Sequence, residues 1–234
     1  MKRCKTQLVR VCLFLLAAVP AYCQRGTFGI DVGQTSDKFG SFSSVSGAEF
    51  DIDGQLTILR PNPKKGGPSI VAGGEIRLPF DAQNHAKEYR VYGGPAFQVR
   101  NLTIGVNAQV HKINLPPANV QGQVFIRDAF ELFELPVVVK YAFGSGKHAF
   151  VQAEGGPEFT PRFKKQAGSL VSLPNPNFDH GYFLRGSAGY IFGKYYVKAT
   201  YENRYFSFAN NPNNPSALYN WKSSLISGGV GFAF

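Results

Sequence analysis

The feature that most narrows the folds open to this chain is a two-residue alternation of apolar with small or polar residues. It recurs in about ten segments of roughly strand length from Thr27 onward. A period of two is the signature of β-strands with two unlike faces. The alternation predicts strands over 27–35, 49–59, 69–80, 88–100, 102–114, 133–144, 148–160, 181–193, 195–207 and 222–234. The connections fall into two alternating classes. PNPKKGG at 61–67, the Arg100–Asn101 corner, GSGK at 144–147 and Gly193–Lys194 are short and turn-like, whereas 36–48, 81–87, 115–132, 161–180 and 208–221 are longer. Short turns at one end and long loops at the other are the layout of an up-and-down transmembrane barrel, with the first strand rising from the periplasm and the last returning there.

The two faces of the strands carry different chemistry. One face holds Phe28, Ile30 and Val32, then Ile70, Ala72, Gly74, Ile76, Leu78 and Phe80, and so on through Ile226, Gly228, Val230, Phe232 and Phe234. Over the central residues of these strands it bears no charge, and Asn203 and Ser224 are its only polar residues there. The other face holds the strand charges: Asp31, Asp51, Asp53, Glu75, Arg77, Arg90, Lys140, Glu154, Glu158, Arg185, Lys198, Glu202 and Arg204. Aromatics gather at both ends of the apolar face. Phe97, Tyr141, Phe143, Tyr190, Phe192, Tyr195, Phe232 and Phe234 fall at one end, and Phe50, Phe80, Tyr89, Phe133, Phe159, Tyr182 and Tyr205 at the other. A packed soluble core would put its bulk at the centre. Two aromatic belts around an aliphatic band match the two interfaces of a membrane. In hydrocarbon every backbone polar group must be paired, so a spanning sheet has to close on itself. The expected fold is therefore all-β: a closed antiparallel up-and-down transmembrane β-barrel of about ten strands, with eight as the alternative. A soluble exported barrel with Phe and Tyr buried around an apolar ligand is a further reading.

Residues 1–23 read as a signal peptide. Lys2, Arg3, Lys5 and Arg10 precede an apolar stretch from Val11 to Val19 that is too short to span a bilayer, which leaves 24–234 as the barrel domain. Cys4, Cys12 and Cys23 all lie in this leader, so the exported chain is expected to hold no disulfide, thiolate nucleophile or cysteine metal site. Removing four basic residues from 25 leaves 21 against 15 acids, a mild excess with no basic stripe, and nucleic acid is not an expected partner.

The last strand, SLISGGVGFAF, resembles the C-terminal signal recognised by the bacterial barrel-assembly machinery, with Phe234, Phe232 and Val230 at its alternate positions. FELPVVVKYAFGSGKHAFVQAEGGPEF (133–159) resembles a hairpin of the small outer-membrane barrel proteins of the PorT-like and OmpA/OmpX/OmpW-like group. The resemblance implies an integral barrel in the outer membrane of a Gram-negative-type bacterium. Its expected partners are outer-membrane lipids, lipopolysaccharide, the assembly machinery and periplasmic chaperones. Function varies within the group, and no peptidoglycan-binding domain is expected after the last strand.

The inward charges come in both signs on neighbouring strands: Glu75 and Arg77 beside Arg90, Lys140 beside Glu154, and Lys198, Glu202 and Arg204 beside Arg185. In a barrel of this size the lumen is nearly filled by side chains, and charges there must pair or meet trapped water. The first expectation is a lumen plugged by ion pairs. A narrow, weakly selective pore or a channel for a lipophilic solute is the alternative. An enzyme is the rival class: omptin-like proteases are ten-stranded and use acids with a histidine at the rim. Here His111, facing inward with Glu88 on the adjacent strand, is the one candidate base pair, while His85, His148 and His180 fall in loops or turns. No second acidic pair and no Ser–His set accompanies it, so neither a catalytic set nor a cofactor or metal is expected. YGGPAF (92–97) and EGGPEF (154–159) put Pro95 and Pro157 in mid-strand, where a bulge or bend is expected. The apolar stretch 115–132 reads as a short helix or lid, or as the extension of a strand beyond the membrane.

Overall fold

The computed structural model describes residues 25–39, 44–58, 66–81, 85–114, 118–120, 123–125, 128–144, 148–165, 177–209 and 220–234. The leader 1–23, residues 61–65 and 145–147 of two short turns, and residues 210–219 of the connection 208–221 lie outside the described residues. The strands are β1 (Arg25–Phe39), β2 (Val45–Thr57), β3 (Gly67–Pro79), β4 (Lys87–Val99), β5 (Leu102–Val106), β6 (Ala108–Asn114), β7 (Ala118–Val120) and β8 (Gln123–Phe125). They continue with β9 (Asp128–Glu134), β10 (Val137–Phe143), β11 (Ala149–Lys165), β12 (Asn177–Phe192), β13 (Tyr195–Ala209) and β14 (Trp221–Ala233).

All pairings are antiparallel, and β1 pairs with both β2 and β14, so the sheet closes. β5 and β6 together form one wall strand between β4 and β9/β10, and β9 and β10 form the next, against β11. The barrel thus has the ten strands read from the alternation, not eight. Between β6 and β9, β7 and β8 pair as a small ribbon, and β9 begins at Asp128, so this stretch extends a strand and contains no helix among the described residues.

The tight turns have direct backbone causes. Gly193 at φ 66° with Lys194 joins β12 to β13 in a two-residue turn, and Arg100 at φ 53° with Asn101 joins β4 to β5. Paired turns of this kind need positive φ because their twist must match that of the strands.

The interruptions at Asn107 and at 135–136 are not bulges. The pairing register of β4 is the same with β5 as with β6 (Ala96↔Gly105, Gly93↔Ala108), and that of β11 is the same with β10 as with β9 (Gly155↔Val137, Glu158↔Glu134). What is missing is donors. Ile70 O accepts from Ile58 on the far side of β3, so its partner Pro95 faces β5 with no N–H to offer. Asn107 N–H donates to Pro136 O at 3.0 Å, but Pro136 returns nothing. Pro157 repeats this toward Leu135. Three prolines, on β4, on the β9/β10 strand and on β11, leave a gap in the ladder at about one height while the register runs straight through, in place of the expected bulge. The register shifts that do occur lie near the long-loop rim, between Phe159 and Arg162 and between Phe178 and His180. Gly94 fits this level because a Cβ there would collide with the carbonyl oxygen of Val106.

The outward face is apolar and open: Val91, Ile226 and Val230 are each more than 60% exposed, while Asp31, Glu75 and Arg90 on the inward face are at most 5% exposed. Near the short turns the outward face carries the ring pairs Tyr195–Phe232, Phe232–Phe234 and Tyr141–Phe143, and near the long loops it carries Tyr182–Tyr205. A soluble barrel reverses this polarity.

Candidate functional site: the closed lumen

Because alternate residues point inward, every wall strand contributes side chains to the lumen, and those side chains form layers along the barrel axis. Toward the short turns lies a polar cavity of about 120 Å³, lined among others by Asp31, Asp53, Tyr92, Gln152, Tyr196 and Lys198. Its size and polar lining suit several ordered waters. Lys198 Nζ lies 2.6 Å from Asp53 and 3.0 Å from Asp31. Glycine at 229 makes this possible, since a Cβ there would fall on the Asp31 carboxylate.

Above the cavity the lumen is crossed by guanidinium–carboxylate contacts. Glu202 on β13 accepts from Arg90 at 2.7 Å, from Arg185 at 2.5–2.7 Å and from Arg77 at 3.2 Å, thereby tying β13 to β4, β12 and β3. Glu75 binds Arg77 at 2.9 Å, Arg185 at 2.8 Å and Arg90 at 3.3 Å. Arg77 Nε also meets Glu49 at 3.1 Å, and Arg185 reaches Glu154 at 3.5 Å. Multiple charge-assisted contacts of this kind are what allow charges to be held away from bulk water.

Next along the axis, His111 is fully buried with Nε2 3.0 Å from Glu88 and Nδ1 3.1 Å from Glu134. Arg204 contacts His111 and Glu134, lies 3.6 Å from Glu158 and stacks over the rings of Phe183 and Phe206. At the long-loop end, Ala86, Ile113, Leu132, Phe206 and Trp221 form an apolar cluster, with Phe206 and Trp221 stacked at 5.2 Å. Beside it, Asp37 accepts from Trp221 Nε1 at 3.1 Å and pairs with His85 Nδ1 at 3.1 Å. This hydrogen bond raises the His85 pKa above its ordinary value, against the opposing effect of burial.

The structure places the charged residues singled out in the sequence, with Asp51 3.9 Å from Arg77. Asp31, Asp53 and Lys198 meet in the cavity; Glu75, Arg77, Arg90, Arg185, Glu154 and Glu202 form the crossing layer; and Glu158 and Arg204 lie beyond it. Lys140 stands opposite Gln152, diagonal to Glu154 on the adjacent strand, with its ammonium 4.5 Å over the Phe150 ring, and Arg185 lies 3.5 Å from Glu154. The near balance of inward charge gives way, because Glu49, Glu88 and Glu134 are buried in the lumen too and the acids outnumber the bases. Alternation already pointed these three inward, since each follows the parity of its strand. Asp37 and His85 carried no such signal, because β1 runs four residues past its predicted end and His85 lies in a connection. Phe234, Phe232 and Val230 face outward on the seam strand, with Phe234 N–H and C=O both bonded to Gly26.

No family model matches the chain, and no curated protein matches it. Similar solved structures include Neisserial surface protein A, 12% identical with TM-score 0.41, covering 89% of this chain and 97% of that one. The KdgM porin in complex with disordered oligogalacturonate is 10% identical with TM-score 0.41, over 89% of this chain and 99% of its own. The outer membrane protease OmpT from Escherichia coli is 10% identical with TM-score 0.46, over 90% and 97%. The fold, fixed by its own strand pairings, is a closed ten-stranded antiparallel β-barrel.

Proposed function

We propose that the protein is an integral outer-membrane barrel with a structural or surface-interaction role, its lumen closed rather than conducting. The observation that carries this reading is the Glu202-centred layer, in which one carboxylate receives three guanidiniums from three other strands across the whole lumen. The stacked Phe206–Trp221 cap beyond it adds a second, apolar barrier. A catalytic reading is disfavoured because His111 has no exposed surface and both its nitrogens are occupied by Glu88 and Glu134. A base needs access to the proton it takes.

The test is to refold residues 24–234 into lipid and compare unheated with boiled samples on a detergent gel, then record from planar bilayers. Faster migration unheated and an electrically silent membrane are expected. Steady discrete conductance steps would establish the pore reading instead, and refolding without detergent or lipid would overturn membrane residence altogether. Phe234, Phe232 and Val230 are proposed as the signal read by the assembly machinery, so Phe234→Ser is expected to reduce assisted insertion while leaving spontaneous refolding in detergent intact.

A further inference from the structure

The outward face is not charge-free along its whole height. Near the long-loop rim, Lys38 on β1, three residues past its predicted strand, and Lys222, the first residue of its predicted strand on β14, both point outward and are direct cross-strand partners. Like charges so opposed repel. Among the described residues neither has an ion-pair partner, whereas the outward Lys112 on β6 stands opposite Glu131. Lys222 Nζ lies 5.3 Å from the centroid of the Tyr205 ring, its cross-strand neighbour on β13, and Tyr205 in turn packs on Tyr182 at 5.8 Å. Asp179, at the β12 bulge beside this row, is taken up by His180 at 2.8 Å.

One step deeper the outward residues are Ser36, Ser224 and Asn203, aligned in register across β1, β14 and β13. Ser224 and Asn203 are the polar residues already noted on this face in the sequence. Below them Gln34 stands opposite Ile226 beside Tyr201, and the wall then returns to Val32 and Gly228. The patch therefore has three tiers: paired ammoniums, then hydroxyls and amides, then an apolar wall.

From these tiers we infer a binding site for a lipid with a phosphorylated saccharide headgroup in the outer leaflet. This rests on the proposed membrane residence of the barrel. A phosphate seated between Lys38 and Lys222 relieves their repulsion. The sugar hydroxyls and amides meet Ser36, Ser224 and Asn203, and acyl chains lie along Val32, Ile226 and Tyr201. Tyrosine at an interface holds a lysine stem at headgroup depth, and charge complementarity selects an anionic lipid there.

The experiment uses the refolded barrel in detergent micelles, with native mass spectrometry reading the retained lipid. The probes are diphosphoryl lipid A and its phosphate-free counterpart. Wild-type protein is expected to retain the phosphorylated lipid about 30-fold better, the combined effect of two lysines at an anionic surface. K38Q/K222Q is expected to lose that preference, and K87Q/K112Q to keep it. Ser224→Val with Asn203→Leu is expected to weaken retention of both lipids. Equal retention by wild type and K38Q/K222Q overturns the site, as does full displacement by millimolar inorganic phosphate, which would mark a free-anion site. Each sample is first shown to migrate as a folded barrel on the unheated gel. If wild type fails that step, the membrane reading fails and the site falls with it, an outcome distinct from a folded barrel that ignores the phosphate.

Discussion

Glu202 illustrates how one side chain can hold a lumen together. Its carboxylate is shared among Arg77, Arg90 and Arg185, so replacing it with leucine takes one partner from each of three lumen cations and leaves them to Glu75 and their remaining carboxylates. Breaking one partner of a buried ion pair costs about 3–5 kcal/mol. Glu202→Leu is expected to lower the guanidinium midpoint of the micelle-refolded barrel by that order, while Lys222→Gln on the outer face changes stability by about 0.5 kcal/mol or less. An unmoved midpoint for Glu202→Leu would mean the network adds nothing to the apolar cap. His85 offers a titration. The Asp37 hydrogen bond raises its folded-state pKa above 6.5, so the stabilisation is complete below about 6.5 and fades as pH rises through the raised value. His85 is expected to titrate above 6.5 by NMR, and Asp37→Asn to bring it down; titration at or below 6.5 in the wild type refutes the coupling. The lumen acids were largely legible, because each strand's parity assigns its inward residues. The pairings were not: Lys140 and Glu154 sit on adjacent strands, yet the register sets Gln152 opposite Lys140.

For the strands, the prolines make a separate claim. Pro157→Ala supplies an N–H toward Leu135 on a register that is already continuous. It gains one hydrogen bond of about 1 kcal/mol and gives up the rigidity proline lends the unfolded chain. The expected net change in stability is under about 1 kcal/mol, with a new slowly exchanging amide at position 157. Fast exchange there would mean the strands are truly parted at this level. Gly94→Ala differs, because its methyl group meets the Val106 carbonyl. It is expected to destabilise by about 1–3 kcal/mol, read from the same guanidinium midpoint. The sequence foretold a disturbance at GGPAF and GGPEF but not its kind. Whether a proline shifts register or only deletes a rung depends on the partner strand, and Pro136 across the wall is part of the answer.

For the whole molecule, the alternation was enough for ten strands, two faces and two aromatic belts, because a membrane barrel writes its surface into every second residue. Lys38 was not legible because strand ends near the long loops are set by pairing with neighbours, as β1 is by Trp221–Ser223 of β14, whereas Lys222 already had outward parity at the first position of its predicted strand. The excess of lumen acids carries its own expectation. A barrel opened by substitution of the cap and the crossing layer, for instance F206A/W221A/R77A, is expected to conduct and to pass potassium in preference to chloride, measured as a reversal potential under a salt gradient. Chloride preference would place the net lumen charge on the wrong side of zero.

The seam between β1 and β14 sets a rule for how such a chain can be made. Thr27 pairs with Ala233, so the partner of the first wall strand is the last to be synthesised. Until it arrives, the nascent sheet has two raw edges, and hydrocarbon tolerates neither. Insertion cannot then proceed hairpin by hairpin in step with translation. All ten wall strands have to be held unfolded until β14 has been made, and the β1–β14 seam is the latch that lets the wall enter the bilayer as one piece.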